Sequence, residues 1–180
     1  MPVLVVQAHP VPDSLNAALL ERVAAGLTAA GTDHSVHRLC QGERPTSSDL
    51  EGIDDLVLVY PTWWGGQPAS LLEWLQDMLA DDALGSVKRL VAVTSLGSSQ
   101  LLNTVQGEWG RAHLSGLVLQ ACADDASFEW FPLYKVDRQP QDAIDAHLRA
   151  VEERFAGRRE PKVTRPLWQR TYGRRPPAAV

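Results

Sequence analysis

The residues whose types point most clearly to a binding role are two adjacent tryptophans, Trp63 and Trp64, which follow an apolar run. Their segment reads Tyr60-Pro61-Thr62-Trp63-Trp64-Gly65-Gly66-Gln67-Pro68. Large aromatic rings are costly to leave in water unless they cover something flat and apolar. A planar aromatic ligand would explain both rings, and packing of either ring into the core or into a subunit interface is the alternative.

A second segment that could bind a ligand joins a predicted strand to a predicted helix. It reads His9-Pro10-Val11-Pro12-Asp13-Ser14-Leu15-Asn16. The amino end of a helix has free backbone N–H groups and the positive end of the helix dipole, so the segment is a candidate phosphate site. The alternative is that Asp13 or Ser14 only caps the helix.

A third segment, Thr94-Ser95-Leu96-Gly97-Ser98-Ser99, follows another apolar run. Its hydroxyl groups and backbone N–H groups could bind the edge of a ligand. A strand-to-helix turn with a serine cap explains the same residues, and this segment taken alone favours that simpler interpretation.

Alternating strands and helices must position these three segments. Short apolar runs predict buried parallel strands at 3–8, 55–60 and 90–94, a weaker outer strand at 34–39 and a final strand at 127–134. Apolar residues at helical spacing predict helices over 15–30, after Pro68, over 101–112 and over 144–155. This order predicts a doubly wound α/β sheet. Ligands bind at the carboxyl ends of its strands, so the three segments should converge there.

Composition and charge exclude several classes of function. The chain has 180 residues, 44% of them hydrophobic, which suits a single core, and its net charge of -5 gives no sign of a nucleic-acid binder. No run approaches the roughly 20 apolar residues of a membrane span, and the start lacks the features of a signal peptide. Cys40 and Cys122 are therefore expected to be buried free thiols in a reducing cytoplasm, and the histidine spacing predicts no metal site.

The C-terminal residues differ in composition from the rest of the chain. Residues 161–180 contain five basic residues, four prolines and no acidic residue. We therefore predict a domain over 1–160 and a basic, proline-containing tail over 161–180. The tail is expected to be either a disordered end or an arm that lies on a partner subunit.

Taken together, the three segments resemble the NAD(P)H:quinone oxidoreductase branch of the flavodoxin-like superfamily, which includes small ancillary reductases of bacterial potassium efflux systems. The resemblance depends on His9-Pro10 with Ser14 and Asn16, and on Tyr60-Pro61-Thr62-Trp63-Trp64 followed by Gln67-Pro68-Ala69. The order of elements matches from Val3 to about Phe155. It implies a flavodoxin-like, doubly wound, parallel five-stranded sheet in a three-layer arrangement.

The resemblance also implies a flavin. The short chain leaves limited room for an adenosine site, which favours FMN, with FAD as the alternative. The flavin phosphate would be bound by His9, Ser14, Leu15 and Asn16. Its ring would lie against Pro61, Thr62, Trp63, Trp64 and Gly65, with Thr94, Ser95, Leu96 and Gly97 along the other edge. NAD(P)H would give a hydride to the flavin and leave, and a quinone-like acceptor would then take the hydride from the same face. A homodimer is expected, because such proteins commonly build the acceptor pocket across an interface.

The sequence also departs from that family. It has Thr-Ser-Leu-Gly at 94–97, where better-studied members have a second threonine and paired glycines. Those members place a tyrosine and a histidine in the following segment, where Asn103 and Trp109 fall here, so no residue is assigned as a proton donor.

Three alternative functions differ from the reductase in their expected sequence features. An electron carrier on the same fold would have a Thr- or Ser-rich phosphate loop with a central glycine. The basic tail would suit a flavin-binding regulatory subunit of a membrane transport system. A hydrolase would need a Gly-x-Ser-x-Gly elbow, which the sequence lacks.

Overall fold

One twisted sheet organises the molecule. The computed structural model describes residues 2–157 and the backbone of Val163–Thr164. Its strands are β1 (Val3–Gln7), β2 (His34–Arg38), β3 (Asp55–Thr62), β4 (Arg89–Leu96), β5 (Ser127–Leu133) and β6 (Val163–Thr164). Strands β2-β1-β3-β4-β5 are parallel in that order, which confirms the predicted five-stranded doubly wound sheet. The short β6 adds an antiparallel sixth strand beside β5.

Helices cover both faces of the sheet. They are α1 (Leu15–Ala29), α2 (Ala69–Ala80), α3 (Gln100–Val105), α4 (Trp109–His113), α5 (Leu119–Ala121) and α6 (Gln141–Phe155). A π-helical turn, Leu114–Val118, joins α4 to α5. Helices α1 and α6 bury apolar residues against one face of β1, β3 and β4, and α2 and the α4–α5 segment cover the other face. The central strands are apolar on both faces because each face packs against helices.

Strands β3 and β4 are longer than their apolar runs. Each continues two residues past the predicted end, because Pro61 pairs with Ser95 and Thr62 pairs with Leu96 in parallel register. Backbone pairing does not require apolar side chains, and the hydroxyl groups of Thr62 and Thr94 form a hydrogen bond with each other at 2.9 Å. The rigid part of the sheet therefore reaches as far as the residues expected to touch a ligand.

The prediction of one helix over 101–112 is wrong. The chain ends α3 at Val105 and begins α4 at Trp109, with the left-handed residues Gly107 (φ 86°) and Glu108 (φ 43°) between them. Glycine takes this conformation easily and commonly ends a helix. Leu101 and Val105, expected on a buried face, are 75% and 76% exposed.

Part of the predicted tail pairs with the sheet. The backbone of Val163–Thr164 pairs with Phe128 and Glu129 of β5 in the same chain. The remaining residues of 161–180, and with them the expectation of a disordered end or an arm on a partner, lie outside the described residues. In the part of the chain that is described, no helix is long and apolar enough to cross a bilayer.

Ion pairs link β3 and β4 at their amino ends. The carboxylate of Asp55, at the start of β3, pairs with the guanidinium of Arg89, its cross-strand partner in β4. Next to them, Asp54 pairs with the Lys88 ammonium at 2.6 Å. The Asp55 side chain is buried, whereas the Lys88 side chain is mostly exposed, so the Asp55–Arg89 pair is the better shielded of the two.

Candidate functional site at the carboxyl edge of the sheet

The structure brings the three predicted segments together at one edge of the sheet. The Asn16 side-chain amide donates to Ser95 Oγ at 3.1 Å, which links the first segment to the third. The rings of His9 and Trp63 lie 6.1 Å apart between centroids, which links the first segment to the second. These contacts arise because β1, β3 and β4 are adjacent and parallel, so that the loops following them leave the same edge.

The first segment forms the amino end of α1. Ser14 is the N-cap, and its Oγ accepts from the Ala17 N–H at 3.2 Å, so its hydroxyl performs the capping role that the sequence left open. Leu15 begins the helix, and its first-turn amides have no acceptor within the helix. His9 lies at the surface, where its Nδ1 accepts from the Val11 N–H at 3.1 Å.

Asn16 provides a test of whether an anion fits this loop. Its side chain is 4% exposed, and its Oδ1 is buried without a hydrogen-bond partner, while its Nδ2 donates to Ser95. A half-turn of the amide exchanges the two atoms, and the Ser95 hydroxyl can then donate to Oδ1. The NH₂ group would then be free to donate. The amide and the first-turn amides of α1 together form a donor set that suits a phosphate.

The second segment forms a tight two-residue turn. Trp63 and Gly66 exchange backbone hydrogen bonds of 3.0 and 2.9 Å, with Trp64 (φ 52°) and Gly65 (φ 83°) at the tip. Two positive φ angles identify the type I′ geometry of tight hairpins. Trp64 is fully exposed and Trp63 is 45% exposed, so neither ring is buried in the core of this chain.

Helix α4 holds this turn in place. The Gly110 N–H donates to Gly65 O at 3.0 Å, and the buried Gln67 side chain donates to Gly110 O at 2.8 Å. The Trp109 ring lies directly on Gly66, where an added Cβ would come within 2.3 Å of it. The His113 ring stacks on the Trp109 ring, with centroids 5.5 Å apart. Burial lowers the pKa of the His113 imidazole. A glycine at 66 therefore allows the ring of Trp109 to approach the turn.

Hydrogen bonds hold the third segment to α3 on one side and to the loop after β5 on the other. The Asn103 amide donates to Ser98 Oγ at 2.6 Å and to Ser99 O at 2.8 Å, and the Lys135 N–H donates to Ser98 O at 3.0 Å. A Cβ at Gly97 would lie 2.9 Å from a carboxylate oxygen of Asp137.

The predicted site residues differ in what they offer to a ligand. Thr62, Trp64, Gly65 and Gly97 line an open cavity, and the side chains of Trp63 and Trp64 are exposed. The side chains of Pro61, Thr94, Ser95 and Leu96 are buried. Their side chains therefore form the support of the edge, and a ligand would reach mainly their backbone.

The open cavity next to the tryptophan turn has a volume of about 420 Å³. Its lining comprises Thr62, Trp64, Gly65, Gly97, Ser98, Leu102, Asn103, Gln106, Glu108 and Trp109. The sequence interpretation named Asn103 and Trp109 without assigning them a role, and it missed Glu108, Gln106 and Leu102. The available signal for Glu108 was its position after Gly107, where a helix-ending glycine turns the chain.

Glu108 carries the charge of this wall. Its carboxylate accepts from the Arg111 guanidinium at 2.9 Å, and Thr104 Oγ1 lies 3.5 Å from its other oxygen. The described residues contain no group of three or more His, Cys, Asp or Glu side chains that could hold a metal ion. The edge thus combines a phosphate-type donor set with an aromatic-lined cavity, an arrangement that suits a phosphorylated, planar ligand.

Comparisons with known proteins agree with this architecture. The family model described as flavodoxin-like fold matches residues 1–155. A search of curated proteins finds no significant match.

Solved structures share the fold at low sequence identity. The NAD(P)H:quinone oxidoreductase from Methanothermobacter marburgensis is 19% identical, with a TM-score of 0.73 over 89% of this chain and 96% of its own. The FMN-dependent NADH-azoreductase from Bacillus anthracis str. Ames Ancestor, in complex with FMN, is 12% identical, with a TM-score of 0.70 over 87% and 98%. Oxidised Flavodoxin 1 from Bacillus cereus is 15% identical, with a TM-score of 0.57 over 89% and 100%.

The family match covers the five parallel strands, all six helices and each of the three segments that meet at the carboxyl edge. By this match and by its strand order, the chain belongs to the family of proteins with a flavodoxin-like fold.

Proposed function

We propose that the protein is a flavin-dependent NAD(P)H oxidoreductase that passes a hydride through bound FMN to a quinone-like acceptor. The observation that carries this proposal is the open cavity of about 420 Å³ beside the exposed Trp64, at the carboxyl ends of β3 and β4. The names of an NAD(P)H:quinone oxidoreductase and an FMN-dependent azoreductase of the same fold support it.

The first segment would hold the FMN phosphate. The backbone N–H groups at Leu15 and Asn16 and the amide of Asn16 are the donors, and Ser14 fixes the start of the helix that presents them. His9, at the surface next to Trp63, would border the same site. Asp13 and Glu21 line a neighbouring cleft of about 520 Å³, whose described lining residues include no basic side chain, so the phosphate would be held by N–H donors rather than by a cation.

The second and third segments would hold the ring. Thr62, Trp63, Trp64 and Gly65 would lie against it, and the backbone from Thr94 to Gly97 would run along its other edge. Bound FMN supplies the ability to accept a hydride from one molecule and give it to another. The chain supplies aromatic surface that keeps water from the ring, and backbone N–H groups that stabilise negative charge at its edge.

Entry of both substrates through one shared cavity would favour a two-step, ping-pong order of substrates. NAD(P)H and the acceptor would both reach the ring from the cavity lined by Gly97, Asn103 and Trp109, so one must leave before the other binds.

A homodimer in the cytoplasm is part of the same proposal. Leu101, Val105 and Leu117 are large apolar side chains left exposed on the α3 to α5 region, next to the cavity. A second subunit that covers them would also narrow the cavity. Both cysteines are free, which is typical of a reducing compartment. Cys122 is buried as expected, whereas Cys40 is exposed, because it lies in a short helical turn that follows β2 at the surface.

An absorbance spectrum of the purified protein, before and after anaerobic addition of NADPH or NADH, tests the function. We expect a flavin spectrum that bleaches with one of the two nucleotides and recovers when a quinone is added. Flavin that stays oxidised with both would support the alternative function, an electron carrier or a regulatory subunit of a membrane transport system. A protein that takes up neither FMN nor FAD would contradict the proposal as a whole.

A further inference from the structure

The cavity wall contains one charged group. Among the described residues that line the cavity of about 420 Å³, Glu108 is the only one with an ionisable side chain. The others are two tryptophans, a leucine, glycines, hydroxyl side chains and the amides of Asn103 and Gln106. A molecule in this cavity therefore meets one carboxylate in a neutral, partly aromatic surface.

The two members of the Glu108–Arg111 ion pair differ in whether they line the large cavity. Glu108 lines both the large cavity and a smaller pocket that shares Thr62 and Asn103 with it, whereas Arg111 is among the lining residues of the smaller pocket but not of the large cavity. The guanidinium is 2.9 Å from the carboxylate. Of the two charges, only the carboxylate therefore belongs to the lining of the large cavity, and the nearer charge contributes more to the potential there.

Backbone hydrogen bonds hold Glu108 in an unusual conformation. Glu108 has φ 43° and ψ 46°, a conformation that costs energy in a residue other than glycine. Its N–H donates to Asn103 O at 2.9 Å, and its carbonyl accepts from the Ala112 N–H at 2.9 Å. Both ends of the residue are thus held between α3 and α4, and its side chain is only 21% exposed.

We propose that Glu108 determines the charge specificity of the acceptor, by selecting neutral acceptors and disfavouring anionic ones. A carboxylate accepts hydrogen bonds and cannot donate them, so it repels a sulfonate or carboxylate on the ring of an acceptor and tolerates a neutral ring. The inference rests on the proposed function, because it concerns the acceptor that enters the same cavity.

The test compares two acceptors with one ring system: a naphthoquinone, and the same naphthoquinone carrying one sulfonate. For the full-length, FMN-loaded protein, the kcat/KM for each acceptor gives a ratio of sulfonated to neutral. Glu108→Gln keeps the size of the side chain, removes its charge and replaces one acceptor oxygen with an amide group that donates. We expect it to raise this ratio roughly 5- to 10-fold over the wild type.

Two further variants make the result specific. Glu153→Gln removes the same charge from an exposed position on α6, far along the sequence from the cavity wall, and should leave the ratio unchanged. Arg111→Gln removes the positive partner of Glu108, and should lower the ratio. An unchanged ratio in Glu108→Gln, or an equal rise in Glu153→Gln, would overturn the inference.

A binding measurement separates this inference from the proposed function. The Kd of naphthalene sulfonate, and of a neutral naphthalene alcohol, can be measured from quenching of tryptophan fluorescence without any turnover. Glu108→Gln should tighten binding of the sulfonate relative to the alcohol by a similar factor. If the wild type reduces neither quinone, the proposed function fails, and the binding ratio alone then supports or overturns the role of Glu108.

Discussion

The two ends of strands β3 and β4 carry opposite kinds of residues. At the amino ends, Asp54 and Asp55 pair with Lys88 and Arg89 across the two strands. At the carboxyl ends, the hydroxyl groups of Thr62 and Thr94 form a hydrogen bond, and β3 is followed by two tryptophans that are exposed to solvent. At the first end the charged side chains are paired with each other, whereas the second end keeps aromatic and polar groups available.

This difference separates stability from binding along the same two strands. A charged group that is paired in the folded state contributes to the free energy of unfolding. An exposed ring contributes little to that free energy, but supplies contact area when a ligand covers it. Substitutions at the amino ends should therefore change stability, and substitutions at the carboxyl ends should change binding.

The largest expected effect is that of Asp55→Asn. It should lower the free energy of unfolding by about 3 kcal/mol, because the guanidinium of Arg89 loses its buried partner. Urea denaturation measures the change. Asp54→Asn is the matched control: its partner Lys88 is exposed, so its loss should be smaller and should shrink further in high salt. Weaker FMN binding with unchanged stability in Asp55→Asn would contradict the separation.

Next in size is Asn16→Leu, at the other end of the sheet. It should raise the Kd for FMN roughly 10- to 100-fold, because a donor to a charged phosphate is lost from a buried position. Flavin fluorescence titration measures the Kd. Asn16→Asp should bind more weakly still, since its carboxylate repels the phosphate. If both variants bind FMN as the wild type does, Asn16 has no part in the phosphate site.

A smaller effect is expected for Trp64→Ala. The side chain is fully exposed, so the free energy of unfolding should stay within about 0.5 kcal/mol of the wild type. Binding of FMN or of the acceptor should weaken about tenfold, because a flat aromatic contact is lost. Isothermal titration calorimetry measures the affinity, and Trp64→Phe should retain most of it. A clear loss of stability in Trp64→Ala would show that the ring is structural.

The smallest effect concerns pH. Burial lowers the pKa of His113 below its usual value, so the unfolded chain binds a proton at higher pH than the folded chain does. Stability should therefore fall as the pH decreases through the usual histidine range, about 6.5, toward the lower pKa of the folded state. His113→Gln should remove this part of the pH dependence in denaturation curves at several pH values. An unchanged pH dependence would assign it to other groups.

The sequence predicted the centre of the fold well, because β1, β3 and β4 are buried on both faces and show as apolar runs. It failed over 101–112, where apolar residues keep helical spacing across a break at Gly107. Spacing alone cannot reveal a reversal of the backbone at one residue. It also missed Trp74, which is fully buried in α2 and donates its N–H to Pro45 O at 2.8 Å.

The candidate site was predictable only as three separate segments. That they meet follows from parallel strand order, but the contacts that join them depend on the path of the chain after β4. The bond from Gly110 to Gly65 and the position of Glu108 both follow from the left-handed turn between α3 and α4. No local pattern at Trp63 or Trp64 indicates that a segment 45 residues later holds their turn in place.

The antiparallel strand β6 bears on how the molecule behaves at high concentration. The outermost strand of a sheet offers backbone N–H and C=O groups to any extended chain, which favours edge-to-edge aggregation. Val163–Thr164 occupies part of that edge on β5. In the sequence, Val163–Thr164 lies between Pro161 and Pro166, which have no backbone N–H to donate to a further strand. The chain thus ends its own sheet with a short segment that is poorly suited to extend it into a fibril.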